Sequence, residues 1–173
     1  QIEWLREIFD YKSVSRAMNK LLYAIENDQT KLREDTRKQF VHISDKFNLE
    51  VEAVATKFSN QQLPLYYEQD GLPVENTALQ DRLKKSTIYF LDKLKNSIHE
   101  PLKALDLETD NKELSKTLQD LKQNCLRQLF EKMKIMESMV VTGFDPLQYI
   151  KVKANVAIDM EAEIKEKKKK SVK

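Results

Sequence analysis

The side chains that most often carry chemistry are few in this chain and stand apart. There are two histidines, His42 and His99, and one cysteine, Cys125. A metal site needs three or four ligands at defined spacing. Neither histidine has a second His, Cys or acidic pair beside it in such a pattern. A di-metal bundle needs Glu three residues before an inward His, and Gln39 and Asn96 hold those positions here. Both histidines therefore read as surface or half-buried residues. Cys125 falls on an apolar stripe of helical spacing. A nucleophilic thiolate needs partial exposure and a cationic or helix-N-terminal setting, so Cys125 reads as a small core residue. Gly71 and Gly143 are the two glycines, which leaves no glycine-rich loop to cradle a phosphate. Carboxylates are plentiful but lie on polar faces. These observations predict a segment without catalysis of its own, without a metal or cofactor, and without a small-molecule substrate.

What remains is the chemistry of binding. Tyr66 and Tyr67 stand side by side, and exposed aromatics of this kind stack on unpaired bases. The competing role is to anchor a loop on the body. Lys84-Lys85 and Arg33/Arg37/Lys38 are local basic spots of the sort that solvated helix faces also carry. The lysine run is denser: residues 165–173 hold Lys165, Lys167, Lys168, Lys169, Lys170 and Lys173 against Glu166. It is either a phosphate-attracting arm or a flexible linker. That tail has a balance of +5, so of the net +2 the remaining residues carry −3. The body is mildly acidic, which speaks against the whole of it being a phosphate-binding surface.

The elements that must position these groups are helices. The chain has 173 residues, two Gly, four Pro and 34% charged residues, a composition of good helix formers with little room for sheet turns. The first segment, 2–27, has Ile2, Leu5, Ile8 and Phe9, then a break predicted at residues 13–15 with Ser13 or Ser15 as cap. Val14, Met18, Leu21, Leu22 and Ile25 follow. A second helix, 31–60, carries Phe40, Ile43, Phe47, Val51, Val54 and Phe58 on one face. Residues 61–76 are irregular but apolar, with Leu63, Leu65, Tyr66, Tyr67 and Leu72 expected to pack on the body. A third helix, 75–99, carries Leu79, Leu83, Phe90, Leu91, Leu94 and Ile98, and Pro101 either kinks it or starts a new turn. The fourth begins with a predicted capping box, Asp110 and Glu113, and its stripe runs from Leu114 through Leu118, Leu121, Cys125, Leu129, Met133 and Met136 to Val140, with Gly143 as cap. The fifth starts at Asp145-Pro146, presents Leu147, Ile150, Ala154, Ala157, Ile158 and Ile164, and is predicted to fray into the lysines.

The expected fold is all-α, a bundle of about five long, mostly antiparallel helices over residues 1–164, with 165–173 as a lysine-rich tail leading to another domain. No apolar run approaches the ~18 residues of a membrane span, no secretory signal opens the chain, and a lone cysteine suits a reducing compartment. The expectation is a cytoplasmic domain cut from a longer protein.

The order of certain segments resembles a known family. WLREIFDYKSVSRAMNKLL comes first, then a long helix with VATKF, then LPVENTALQDRLKKSTIYFLDKL, then HEPLKAL before TDNKEL, and last GFDPLQYIKVKANVAI before the lysines. This order resembles the helical region downstream of the motor in bacterial Pif/Rrm-type helicases of the RecD-like superfamily. The resemblance implies an ATPase core before this region and a small helix-turn-helix or HRDC-type domain beyond the lysines. It covers most of the chain but carries no helicase motif onto any residue. Two functions stay open. One is an accessory domain of a DNA-processing ATPase that positions motor, DNA or a downstream domain. The other is a protein–protein scaffold with no nucleic-acid role, using the Phe stripe or the Met133/Met136/Met139 cluster as a groove.

Overall fold

The computed structural model describes residues 3–27, 32–66 and 77–172, with the side chains of the last helix described through Glu166. All elements are helical: α1 (Glu3–Ile8), α2 (Lys12–Glu26), α3 (34–62, followed by a tight turn at Leu63–Tyr66), α4 (77–104), α5 (Lys112–Thr142) and α6 (Pro146–Val172). No strand occurs among the described residues, and five of the helices are long. The fold is the all-α bundle that the composition predicts.

Helices α2, α3, α4 and α5 form a closed ring in which each touches the next and α5 returns to α2. Lys93 meets Glu50 and Phe90 meets Phe58, so α4 runs back along α3. Tyr11, at the start of α2, donates to Met136 Sδ near the end of α5. Aromatic rings fill the centre: Phe9 lies 4.8 Å from Phe58 and 5.4 Å from Phe90, and Tyr11 lies 6.3 Å from Phe47. Offset and edge-on pairs of this kind add to the area they bury. Helix α6 lies outside the ring, on α5, with α1 touching both.

Local deviations from the sequence expectation have physical causes. The first break falls at Phe9–Tyr11, not at residues 13–15, because Phe9 and Tyr11 are both pulled into the core. Asp10, rather than Ser13 or Ser15, accepts the amide of Lys12 at 2.9 Å. Helix α3 keeps Phe40, Ile43, Phe47, Val51 and Phe58 inside, but Ala55 is buried where Val54 is 37% exposed. Phe47–Glu52 and Phe58–Gln62 are π-helical turns. A π turn holds an extra residue, so the inward face shifts from 54 to 55 and steps by five from Phe58 to Leu63.

Helix α4 is longer than the predicted 75–99 and continues to Ala104. Phe90, Leu94, Ile98 and Leu102 are all buried at steps of four. Such steps drift around a regular α-helix, which turns in 3.6 residues. The π turn Leu94–His99 absorbs the drift. Pro101 then sits in the first turn of the restarted α segment, where a missing N–H costs little.

The cap of α5 is Asn111, not Asp110. Its side chain accepts from Glu113 N at 3.0 Å and Leu114 N at 3.2 Å. Gly143 closes the helix with φ +93°, a backbone conformation that favours glycine. Asp145 caps α6 as predicted, accepting from Leu147 N at 2.8 Å. The face of α6 differs: Tyr149, Val152 and Val156 are buried, while Leu147, Ile150, Ile158 and Ile164 are exposed. The helix also continues through the lysine run to Val172 instead of ending near residue 164, consistent with the helix propensity of Lys and Glu.

Candidate nucleic-acid interface

The inward residues of α4 decide which of its side chains face solvent. Leu83, Thr87 and Phe90 are buried, with Thr87 Oγ1 donating to Leu83 O at 2.8 Å. That anchoring leaves Lys84 and Lys85 exposed, together with Ile88 and Tyr89, the latter 45% exposed. Tyr89 packs edge-on against Phe90 at 5.6 Å, and Lys93 Nζ lies 5.7 Å from the Tyr89 ring centre. Lys93 is held in turn by Glu50 at 3.5 Å. The outer face of α4 thus presents a braced aromatic ring with cations around it, the pairing that stacks a base and holds its phosphate. Tyr89 was not among the candidates read from sequence. The sequence carries little signal for it, since Leu91, the other neighbour of the inward Phe90, packs against the core while Tyr89 is exposed.

The other predicted contacts are distributed differently. Tyr66 is buried, with its ring 6.3 Å from Phe58, and burial raises its phenol above the ordinary value while Arg82 opposes the shift. The ring therefore has the anchoring role, and its face is covered by the core. Leu63 is buried with it, but Leu65 is 58% exposed. Tyr67 lies outside the described residues. Lys165 is exposed near the end of α6, and the side chains of Lys167, Lys168, Lys169 and Lys170 lie outside the described residues.

The remaining reactive groups are structural. Cys125 is buried, and burial pushes its thiol up to about 12. His42 is exposed. His99 is half-buried, 3.6 Å from Glu100, and burial depresses its imidazole while Glu100 opposes. Among the described residues no three His, Cys, Asp or Glu side chains come together as a metal site. Phe40, Phe47, Met136 and Met139 are fully buried in the core, and Met133 is partly buried against it.

One polar cluster was invisible in the sequence. Tyr149 Oη donates to Glu7 Oε2 at 2.6 Å, Lys153 lies 3.4 Å from the same oxygen, and Lys132 donates to the Glu7 carbonyl. The Tyr149 hydrogen bond holds the Glu7 carboxyl below its ordinary range against the opposing effect of burial, and Lys153 and Lys132 add to it. Burial pushes Lys132 down to about 8, against Asp10, Glu131 and Glu7. The cluster faces a cleft of about 310 Å³ between α1, α2, α5 and α6. Each of its groups is already committed to another, and what it accomplishes is to fasten α1 and the root of α6 to α5.

No curated protein and no solved structure matches the chain significantly. The family model for the DNA helicase middle domain matches residues 1–166. With nearly its whole length matched, the chain belongs to the DNA helicase middle-domain family.

Proposed function

We propose that this chain is the non-catalytic helical accessory domain of a larger DNA-processing ATPase, and that it positions single-stranded DNA relative to the motor along the outer face of α4. Family membership supports the helicase context. The order of the segments, taken as a resemblance, favours a RecD-like parent of the Pif/Rrm type. The observation that carries the DNA reading is the exposed, braced Tyr89 beside Lys84, Lys85 and Lys93. This local basic and aromatic patch stands out on a body whose summed charge is negative. The lysine run at the end of α6 serves as a second, nonspecific attraction for phosphates.

The test is a titration of labelled single-stranded and duplex DNA at two salt concentrations, with wild type, Tyr89→Ala, the Lys84→Glu/Lys85→Glu pair, and a chain ending at residue 164. Loss of one stacking contact, about 1–3 kcal/mol, weakens single-strand binding by roughly fivefold to more than a hundredfold. Tyr89 is exposed, so its thermal midpoint stays at the wild-type value. The lysine pair lowers both affinity and salt dependence. Binding that is untouched by Tyr89→Ala and disappears with the last nine residues removes α4 from the interface.

A further inference from the structure

The row of α4 that carries Tyr89 continues in both directions. Arg82, Lys85, Tyr89 and Lys93 stand at steps of three, four and four, the spacing of neighbours on one helix face. Arg82, Lys85 and Tyr89 are exposed, and Lys93 is partly exposed. Asp81 and Asp92 fall on the next row, with Ile88. Lys85 and Lys93 flank the Tyr89 ring one turn to either side, about 12 Å apart at 1.5 Å per residue. A base stacked on Tyr89 therefore has a cation on each side of it for the adjoining phosphates.

The two cations are not equivalent. Among the described residues Lys85 makes no ion pair, whereas Lys93 Nζ lies 3.5 Å from Glu50 Oε2, the two side chains 33% and 36% exposed. Glu50 belongs to the π turn Phe47–Glu52 of α3. Its neighbours point opposite ways, Leu49 outward at 73% exposure and Val51 into the core. Glu50 thus stands at the rim of α3 that faces α4. Lys93 does not need this carboxylate to stay beside Tyr89. Phe90 and Leu94 are buried and fix its backbone, and its ammonium already lies 5.7 Å from the Tyr89 ring centre. The ring itself is braced by Phe90. An ion pair this exposed is weak and readily exchanged. What the carboxylate does here is hold a negative charge beside the phosphate position and neutralise one of the two flanking cations.

We propose that Glu50 competes with the DNA phosphate for Lys93 and so limits the strength of the hold on single-stranded DNA at Tyr89. The proposal rests on the reading of α4 as the single-strand face. A phosphate that takes Lys93 must displace the Glu50 carboxylate, and the two like charges then stand close together. Because Lys93 is neutralised before DNA arrives, contact with it releases no net counterion. The strand is held firmly at Lys85 and loosely at Lys93, which keeps it exchangeable.

The test is a titration of labelled single-stranded DNA into the full chain over a series of salt concentrations. The variants are Glu50→Gln, Lys93→Gln, the two combined, Tyr89→Ala, and Asp159→Asn, which changes the net charge equally from an exposed place on α6. Glu50→Gln is expected to bind roughly twofold to fivefold tighter, the range of a weak ion pair. Its slope of log affinity against log salt steepens by about 0.7, one phosphate on a single strand. On the Lys93→Gln background the same substitution gives no more than Asp159→Asn gives, because its effect passes through Lys93. Weaker binding by Glu50→Gln overturns the proposal and makes the carboxylate a support for Lys93. Unchanged affinity overturns it, and so does a gain that persists without Lys93 or that Asp159→Asn equals, which makes net charge the cause. Any of these beside a Tyr89→Ala that still weakens binding leaves the reading of α4 in place. A Tyr89→Ala without effect removes that reading and this proposal with it. Circular dichroism melts confirm that each variant is folded.

Discussion

Two residues show how a charged group is made to serve the fold. Lys122 is buried in the ring, and its Nζ donates to Lys103 O at 3.0 Å and Leu105 O at 2.7 Å. Those carbonyls end α4, where the helix dipole is negative and backbone acceptors lack partners. Burial lowers the lysine's affinity for its proton, with Asp106 opposing, yet the two acceptors keep the ammonium useful. Lys122→Met fills the space and leaves both acceptors dry, so it should cost about 1–3 kcal/mol in urea unfolding. Glu7 works in the opposite direction. Its folded-state affinity for a proton is depressed from the ordinary 4.5, first by the Tyr149 hydroxyl. The stabilisation is therefore complete above pH 4.5 and is lost as the pH falls through the lower folded value. Glu7→Gln should be less stable than wild type at neutral pH, with the gap closing in acid. A gap that is constant with pH shows that the charge is not what holds α1.

At the scale of elements, the caps and the π turns decide where faces point. Asn111, not Asp110, satisfies the first amides of α5. Asn111→Ala should cost about 1 kcal/mol and Asp110→Ala close to nothing, read as thermal midpoints of the two variants. The sequence points to Asp110, because Glu113 stands three residues after it. The backbone settles it: Asn111 is extended, while the Ser115 hydroxyl accepts from Thr109 N and donates to Thr109 O, fixing the entry of the helix. The π turns were not legible because periodicity assumes a constant turn. Val54 and Ala55 compete for one inward slot, and the larger residue loses because the widened turn at Phe47–Glu52 rotates it outward.

For the molecule as a whole, the ring and the outer helix differ in how much they share. Helix α5 contacts α1, α2, α4 and α6, whereas α6 is seated mainly on α5, with α1 beside it. Local opening follows such differences in buried contact. Amide hydrogen exchange should therefore be slower along the middle of α5 than in α6 beyond Val156, by an order of magnitude or more. Equal protection in the two helices argues that α6 opens only with the ring.

The sequence by itself determined that the chain is all-α, that it has five long helices with breaks near the right places, and that Phe40, Phe47, Phe90, Cys125 and Leu129 are core. Helix formers, spacing and caps are local properties, and they act before any helix meets another. The two histidines and one cysteine stand far apart along the chain. Only the tertiary structure decided which apolar face of α6 is buried. Both stripes satisfy the helical period, and the choice was made by the Tyr149–Glu7 bond with α1, more than 140 residues away along the chain. The tertiary structure likewise put Tyr66 inside and Tyr89 outside. Aromatic character is the same in both, and the difference is which neighbours, Phe58 and Phe90, the ring of helices had already drawn to its centre.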